Sequence, residues 1–307
     1  MSPDGNTVYV GALDGYLYAV ATADGAQRWR FATNDGFLNV GISLIVSADS
    51  KTVYVNALSI GFIAINAATG VPRWKLPISI GQECGAVLSP DDGTVYVSKS
   101  DEAAHNGNFY AINTANGKTR WTVATRGYYY YVPAVSPDGN TVYVGSIHIS
   151  TNTGSFYALN AADGTPRWNY TAGGTAWSQP IVSPTSDMVY VGKDGDSFHA
   201  INAADGTLRW EIPIALTDFS KPVLSHDGST VYVVLDERLC AVDTVYGTLQ
   251  WEFHKEFVDQ GDDYVFVDSS VALGPDGRTV YVGTKSFPTN NMVVFAVLTA
   301  PPPMPAN

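Results

Sequence analysis

Hydrophobic and polar residues alternate along this chain with a period of two, in short runs that stop at Gly, Asp, Asn or Pro. One run recurs. Phe156–Trp168 reads FYALNAADGTPRW, and edited copies occupy Leu17–Trp29, Phe62–Trp74, Phe109–Trp121, Phe198–Trp210 and Leu239–Trp251. A seventh start at Val293–Pro301, VVFAVLTAP, has neither the turn nor the Trp. The first half of each copy alternates as a strand requires. Pairs such as Asp163-Gly164, Asn116-Gly117 and Thr69-Gly70 then suit a turn with positive φ. Arg-Trp opens the following strand. A large aromatic repeated at one register is a packing anchor between neighbouring units, with Ala158 and its equivalents leaving room for close approach.

A second motif precedes the first. It reads SPDGNTVYVG at Ser2–Gly11 and again at Ser136–Gly145, with variants at Ser47, Ser89, Ser183, Ser225 and Gly274. Pro then Asp-Gly predicts a reverse turn, and Thr-Val-Tyr-Val predicts a strand. A hairpin turn accounts for these Asp residues without a metal. The motif's tyrosines, from Tyr9 to Tyr281, are spaced by 45, 42, 47, 47, 42 and 49 residues. Four short strands fill such a period: A ending at the SPDG turn, B as TVYVG, C as FYALNA, and D beginning at Arg-Trp. This predicts an all-β β-propeller of about seven four-stranded blades. The first blade lacks A and the seventh lacks D, so incomplete blades are expected at the seam between the N- and C-terminal ends. Either the missing N-terminal strand lies upstream of this sequence or something else covers the edges, and an open edge there invites a protein partner or self-association.

Composition narrows the function more than the fold. The 307 residues carry a net charge of −12 and are 45% hydrophobic, which suits one large domain and disfavours nucleic acid as a partner. Residues 1–299 are expected to form a single propeller domain and 300–307 (APPPMPAN) a Pro-rich tail or linker start. No apolar run reaches membrane-spanning length. Met1 runs straight into a motif that elsewhere lies inside a repeat, and no signal peptide precedes it. Both ends therefore read as cut from a longer protein. Cys84 and Cys240 fall in different repeats and are expected unpaired, and the five histidines show no metal-ligand spacing.

The strand C, Ala-Asn/Asp-x-x-x-Gly and Trp pattern resembles the pyrroloquinoline-quinone (PQQ)-like β-propellers, over nearly the whole chain. That resemblance implies the architecture and an extracytoplasmic location. Some members are alcohol dehydrogenases holding PQQ and calcium at the ring centre, and others are non-catalytic assembly scaffolds, an outer-membrane assembly lipoprotein among them. This chain is shorter than the dehydrogenases and has neither their adjacent Cys-Cys pair nor an alignable calcium-and-base set. No catalytic residue is carried over, and no cofactor is expected.

If the start of each A strand lines a central funnel, aligned positions gather there. One ring holds Glu83, Tyr130, Trp177, Phe219 and Asp268 with Gly41. Two residues on lie Gln179 and Lys221 with Ser43, Gly85, Val132 and Ser270. Carboxylates and aromatics converging this way suit a sugar or a cation, while the same aromatics could equally plug the channel as core. Loops rich in Asn, Ser, Thr and Gly are expected at Ser98–Asn108, Ser146–Ser155 and Thr284–Met292. Three functions follow for comparison: a non-catalytic interaction or structural module, a PQQ- and calcium-dependent oxidoreductase, or a glycan-binding propeller.

Overall fold

The computed structural model describes the chain apart from residues 13, 34–43, 58–59, 79–84, 102–105, 126–131, 149–152, 174–177, 194–196, 214–220, 236–237, 254–262, 266–270, 288–291 and 300–307. Among the described residues all regular structure is β-strand, in seven antiparallel sheets. The sheets fall into two compact units, Met1–Gly173 and Gly174–Asn307.

In the first unit, blade 1 holds β1 (Thr7–Gly11), β2 (Tyr16–Ala21) and β3 (Gln27–Ala32). Blade 2 holds β4 (Ile45–Val46), β5 (Thr52–Ala57), β6 (Gly61–Asn66) and β7 (Pro72–Leu76). Blade 3 follows with β8 (Ala86–Leu88), β9 (Thr94–Asp101), β10 (Asn106–Asn113) and β11 (Thr119–Thr125). Blade 4 has β12 (Ala134–Val135), β13 (Thr141–His148), β14 (Thr153–Asn160) and β15 (Pro166–Gly173).

In the second unit, blade 5 holds β16 (Ile181–Val182), β17 (Met188–Lys193), β18 (Ser197–Asn202) and β19 (Leu208–Pro213). Blade 6 holds β20 (Val223–Leu224), β21 (Thr230–Leu235), β22 (Arg238–Asp243) and β23 (Leu249–Phe253). Blade 7 has β24 (Asp263–Val265), β25 (Val271–Leu273), β26 (Thr279–Phe287) and β27 (Met292–Leu298). Blades 2 to 6 run A-B-C-D in chain order. Blade 1 begins at B. In blade 7, β24 and β25 both pair with β26, β27 takes the C position, and no described strand takes D.

The two sequence motifs build the A–B and C–D turns of a blade. At the A–B turn the serine does three things. Ser89 donates its backbone N–H to Thr94 O, its Oγ accepts from Thr94 N–H at 2.9 Å, and the same hydroxyl donates to Asp91 at 2.5 Å. Ser47 with Asp49 and Ser225 with Asp227 repeat this geometry. Asp91 and its equivalents also accept a backbone N–H two residues on, so one carboxylate closes the turn from both sides.

The expected loops after the B strands are mostly strand. Asp101 pairs with Asn106, His148 with Thr153 and Lys285 with Met292. The ladder continues through polar residues because pairing satisfies each backbone N–H and C=O, whatever side chain it carries. Composition alone pointed to solvated loops there.

Packing between blades rests on the D-strand tryptophans. Within a blade, each Trp sits opposite the small alanine of strand C, as Ala64 faces Trp74 and Ala111 faces Trp121. The indole also lies 5.8 Å from the strand-B Tyr ring in blade 3. It then crosses to the next blade. Trp29 Nε1–H donates to Ala67 O (2.8 Å), Trp74 to Thr114 O (2.6 Å), Trp121 to Ala161 O (3.0 Å), Trp210 to Thr244 O (3.0 Å) and Trp251 to Thr299 O (3.2 Å). The ring lies flat against the turn glycine. A methyl built on Gly117 would stand 2.7 Å from Trp74 Cδ2, and one on Gly247 would stand 2.6 Å from Trp210 Cδ2. Glycine is needed there twice, for a φ near +70° and for the indole.

These two demands can be separated. Gly25, in the turn of blade 1, has the same φ of +73° but nothing within 4 Å of a built methyl. Gly25→Ala is expected to cost about 1 kcal/mol for the backbone alone. Gly117→Ala is expected to cost about 1–3 kcal/mol more, because the indole must move out of a packed junction. Urea unfolding of both variants checks this, and equal losses would contradict the docking account.

Candidate functional site

Of the residues aligned on the central funnel, Glu83, Tyr130, Trp177, Phe219 and Asp268 lie outside the described residues, as do Gly41, Ser43 and Ser270. Gln179 is half-buried just before β16, its carbonyl accepting from Ser178 Oγ at 3.4 Å. Lys221 is exposed just before β20. In the first unit, Gly85 and Val132 approach so closely that a methyl on Gly85 would stand 2.4 Å from Val132 Cα. The neighbouring β4, β8 and β12 thus converge, with small residues permitting it.

The described cavities lie at the blade junctions, beside the turns. One, of about 300 Å³, lies between blades 3 and 4 and is lined by Asp91, Tyr96, Arg120, Asp138 and Asn160. Another of about 300 Å³ lies between blades 5 and 6 and is lined by Asp187, Tyr190, Asn202 and Arg209 of blade 5 and Asp227 of blade 6. Their carboxylates are already engaged. The hydroxyl of Ser89 and the N–H of Gly93 hold Asp91 below the usual carboxylate range. Ser183 and Thr185 do the same for Asp187, and Ser225 and Ser229 push Asp227 down to about 2. Arg120 and Arg167 each donate to a turn carbonyl of their own blade, Gly93 O and Asn140 O. These groups shape repeating polar grooves by closing turns. Among the described residues, no three His, Cys, Asp or Glu side chains gather as a metal set.

Blade 5 departs from the repeat. Its strand-C position after the Phe, filled by Tyr110 and Tyr157 in the two preceding blades, is His199. His199 is 2% exposed and its Nε2 shares a hydrogen bond with Ser197 Oγ, itself 0% exposed. Register places Lys193 opposite Ser197 and Glu211 opposite His199. Sequence spacing missed this group, because its members come from three strands. The one hint in the sequence is a histidine at a position that elsewhere reads Tyr18, Ile63, Tyr110, Tyr157 and Cys240. Ser197 and His199 are buried, and neither lines either of these two grooves. They form a buried polar cluster.

Burial pushes His199 down to about 4, with Lys193 adding to the depression and Glu211 opposing it. The folded pKa lies below the unfolded value of about 6.5, so the unfolded chain binds the extra proton between them. Stability is therefore full above pH 6.5 and falls as pH drops towards 4, by about 3 kcal/mol at the outside. The turn carboxylates, held below their ordinary values, weaken the fold only at lower pH still. His199→Tyr is expected to flatten urea midpoints measured between pH 6.5 and 4. An unchanged pH slope would contradict the assignment.

Comparison with known proteins fits this architecture. No curated protein matches the sequence significantly. Among solved structures, BamB from Moraxella catarrhalis is similar over 97% of this chain and 87% of that chain, at 16% identity and a TM-score of 0.67. Kuenenia stuttgartiensis hydrazine synthase matches 97% of this chain and 94% of that chain, at 17% identity and a TM-score of 0.65. The C-terminal WD40 domain of Sif2 matches 96% of this chain and 79% of that chain, at 13% identity and a TM-score of 0.73. At such identities these likenesses show the fold, which is a β-propeller. The family model described as outer membrane protein assembly factor BamB matches residues 13–175 and 152–297. With nearly all its repeats inside those matches, the chain belongs to the BamB-like family of β-propellers.

Proposed function

We propose that this chain is a non-catalytic β-propeller serving as an interaction or structural module, within a larger extracytoplasmic protein or assembly. The observation that carries this reading is where large apolar side chains meet water. Of ten such exposed residues among those described, seven lie in the second unit. In blade 6 the C–D turn replaces the Ala-Asp, Ala-Thr or Ala-Asn of other blades with Val245 (52% exposed) and Tyr246 (75% exposed). Leu249 follows in β23. Leu208 adjoins Arg209, which lines the same groove as Val245. Blade 7 adds Tyr281, Val294 and Leu298. Exposed apolar residues concentrated in blades 5 to 7 of an otherwise acidic chain suit a contact surface for protein.

The family's printed role, outer membrane protein assembly factor, supports both the module reading and the location. Among the described residues no helix is long and apolar enough to cross a membrane. The test is a photo-crosslinking residue placed at Tyr246 or at Val294 in the native cell. Each is expected to give a discrete protein adduct, whereas the same residue at Ala115, in the blade 3 turn, gives none. The purified chain with PQQ and calcium is expected to leave a redox dye unreduced by alcohols and sugars. Dye reduction with no adduct from either position would overturn the reading in favour of the oxidoreductase.

A further inference from the structure

We propose that the groove between blades 5 and 6 docks a basic, apolar segment of a partner protein, with a Lys or Arg side chain entering towards Asp187 and Asp227 while apolar neighbours cover Val245 and Tyr246. The proposal rests on the interaction-module reading and names the chemistry which that surface takes. Charge points to a basic partner. Residues 174–307 contain seventeen Asp or Glu against seven Lys or Arg, so they hold −10 of the chain's net −12. Seven of the ten exposed large hydrophobic residues among those described lie in the same stretch. A surface both acidic and apolar complements a segment both basic and apolar.

The groove also differs from its counterpart between blades 3 and 4 in what it leaves unused. Asp187 accepts from the Ser183 and Thr185 hydroxyls at Oδ1, and Asp227 accepts from Ser225 and Ser229 at Oδ1. Oδ2 of each takes no hydrogen bond among the described residues. The turn bonds keep both side chains ionised at neutral pH. Arg209 makes no hydrogen bond or ion pair among the described residues. In the counterpart, Asp138 Oδ2 already accepts from Asn140 Nδ2, and Arg120 donates to Gly93 O. The lip differs too. Where Ala162 lines the groove of blades 3 and 4, Val245 lines this one, and Tyr246 takes the place of Asp163. This turn tip is exposed in the complete blades as well, at Ala68, Ala115, Ala162 and Ala204. Position sets the exposure, and residue type sets what is offered to a partner.

Each part of the incoming segment has a place to go. A groove of about 300 Å³ has room for one long basic side chain. Its head group meets two free carboxylate oxygens, which outnumber the one guanidinium lining the groove. Its stem and apolar neighbours lie on Leu208, Val245 and Tyr246, which removes exposed apolar surface from water. Arg209 is left to donate to a main-chain carbonyl of the segment, as Arg73, Arg120 and Arg167 donate to carbonyls of their own blades. Like charge disfavours the other occupants. An anionic lipid surface is repelled, and a second copy brings a net charge of −12 of its own.

The probe is the labelled peptide Gly-Lys-Leu-Lys-Phe-Lys-Leu-Gly, titrated with the purified full chain by fluorescence anisotropy. Two relatives accompany it, one with every Lys changed to Glu and one with Leu and Phe changed to Ser. Saturable binding is expected for the first, weakened about tenfold or more in each relative. Asp187→Asn with Asp227→Asn keeps the Oδ1 acceptor of each turn and removes both charges. That pair is expected to weaken binding about five- to tenfold while melting like the parent. Val245→Ser, at an exposed turn tip, is a second variant, expected to weaken it about threefold. Asp91→Asn with Asp138→Asn, in the counterpart groove, is expected to leave binding unchanged, which separates docking from general attraction to an acidic protein. No binding, equal binding of the Glu relative, or equal losses from the two Asn pairs would each overturn the proposal. So would tighter binding to phosphatidylglycerol vesicles than to the peptide, or concentration-dependent dimers that Val245→Ser dissolves. Adducts from Tyr246 that persist while the peptide fails would sink this inference and leave the module reading standing; loss of both would sink both.

Discussion

The structure depends on one contact, the D-strand indole laid over the turn glycine of the next blade. The indole joins sheets that share no backbone ladder. Its ring faces the Tyr and Ala of its own blade, and its N–H caps a carbonyl of the next. Because the contact is made flat against backbone, the receiving residue can carry no side chain. Two residue types, a Trp and a Gly separated by most of a repeat, therefore fix the spacing and register of adjacent blades. The hydrophobic clusters between sheets then fill around that joint, each drawing on two consecutive blades. Stability in such a series is close to a sum over neighbours, so an end blade is where the sum is short.

The polar chemistry follows the same economy. Serines and aspartates that look like candidate ligands in the sequence close turns, and hydrogen bonds to hydroxyls and backbone N–H groups hold those carboxylates ionised. What distinguishes one blade from another lies in departures from the repeat. Blade 5 buries a histidine where blades 3 and 4 carry tyrosine. Blade 6 exposes Val245 and Tyr246 where its neighbours carry small or polar residues. Blade 7 leaves Tyr281 and Val294 uncovered. The shared residues build the scaffold, and the exceptions give it individual behaviour.

Much of this was legible from residue pattern. The tyrosine spacing, the Pro-Asp-Gly and Ala-x-x-Gly turns and the Arg-Trp starts locate six A, seven B, seven C and six D strands, and among the described residues each of these is found, with β24 as an addition the pattern did not give. That works because local turn chemistry and alternation both act within a few residues. The long polar hairpins were misread as loops, since backbone pairing does not depend on side-chain polarity. The Ser197–His199 pair was invisible for a different reason: burial and cross-strand register decide it, and neither is encoded in spacing. The funnel positions Glu83, Tyr130, Trp177, Phe219 and Asp268 fall where the repeat consensus ends. With no consensus, alignment has nothing to anchor it. The uncovered face of blade 7 was half legible, as a missing Trp; which side chains it bares required the sheet.

The most direct test of this account is hydrogen–deuterium exchange at the blade 6 C–D turn, compared between the isolated chain and the chain recovered in its native complexes. The account predicts that exchange at Val245 and Tyr246 slows in the complex, while the matching turn of blade 3, at Ala115 and Asn116, exchanges alike in both. Equal slowing at the two turns, or no change at either, would contradict it.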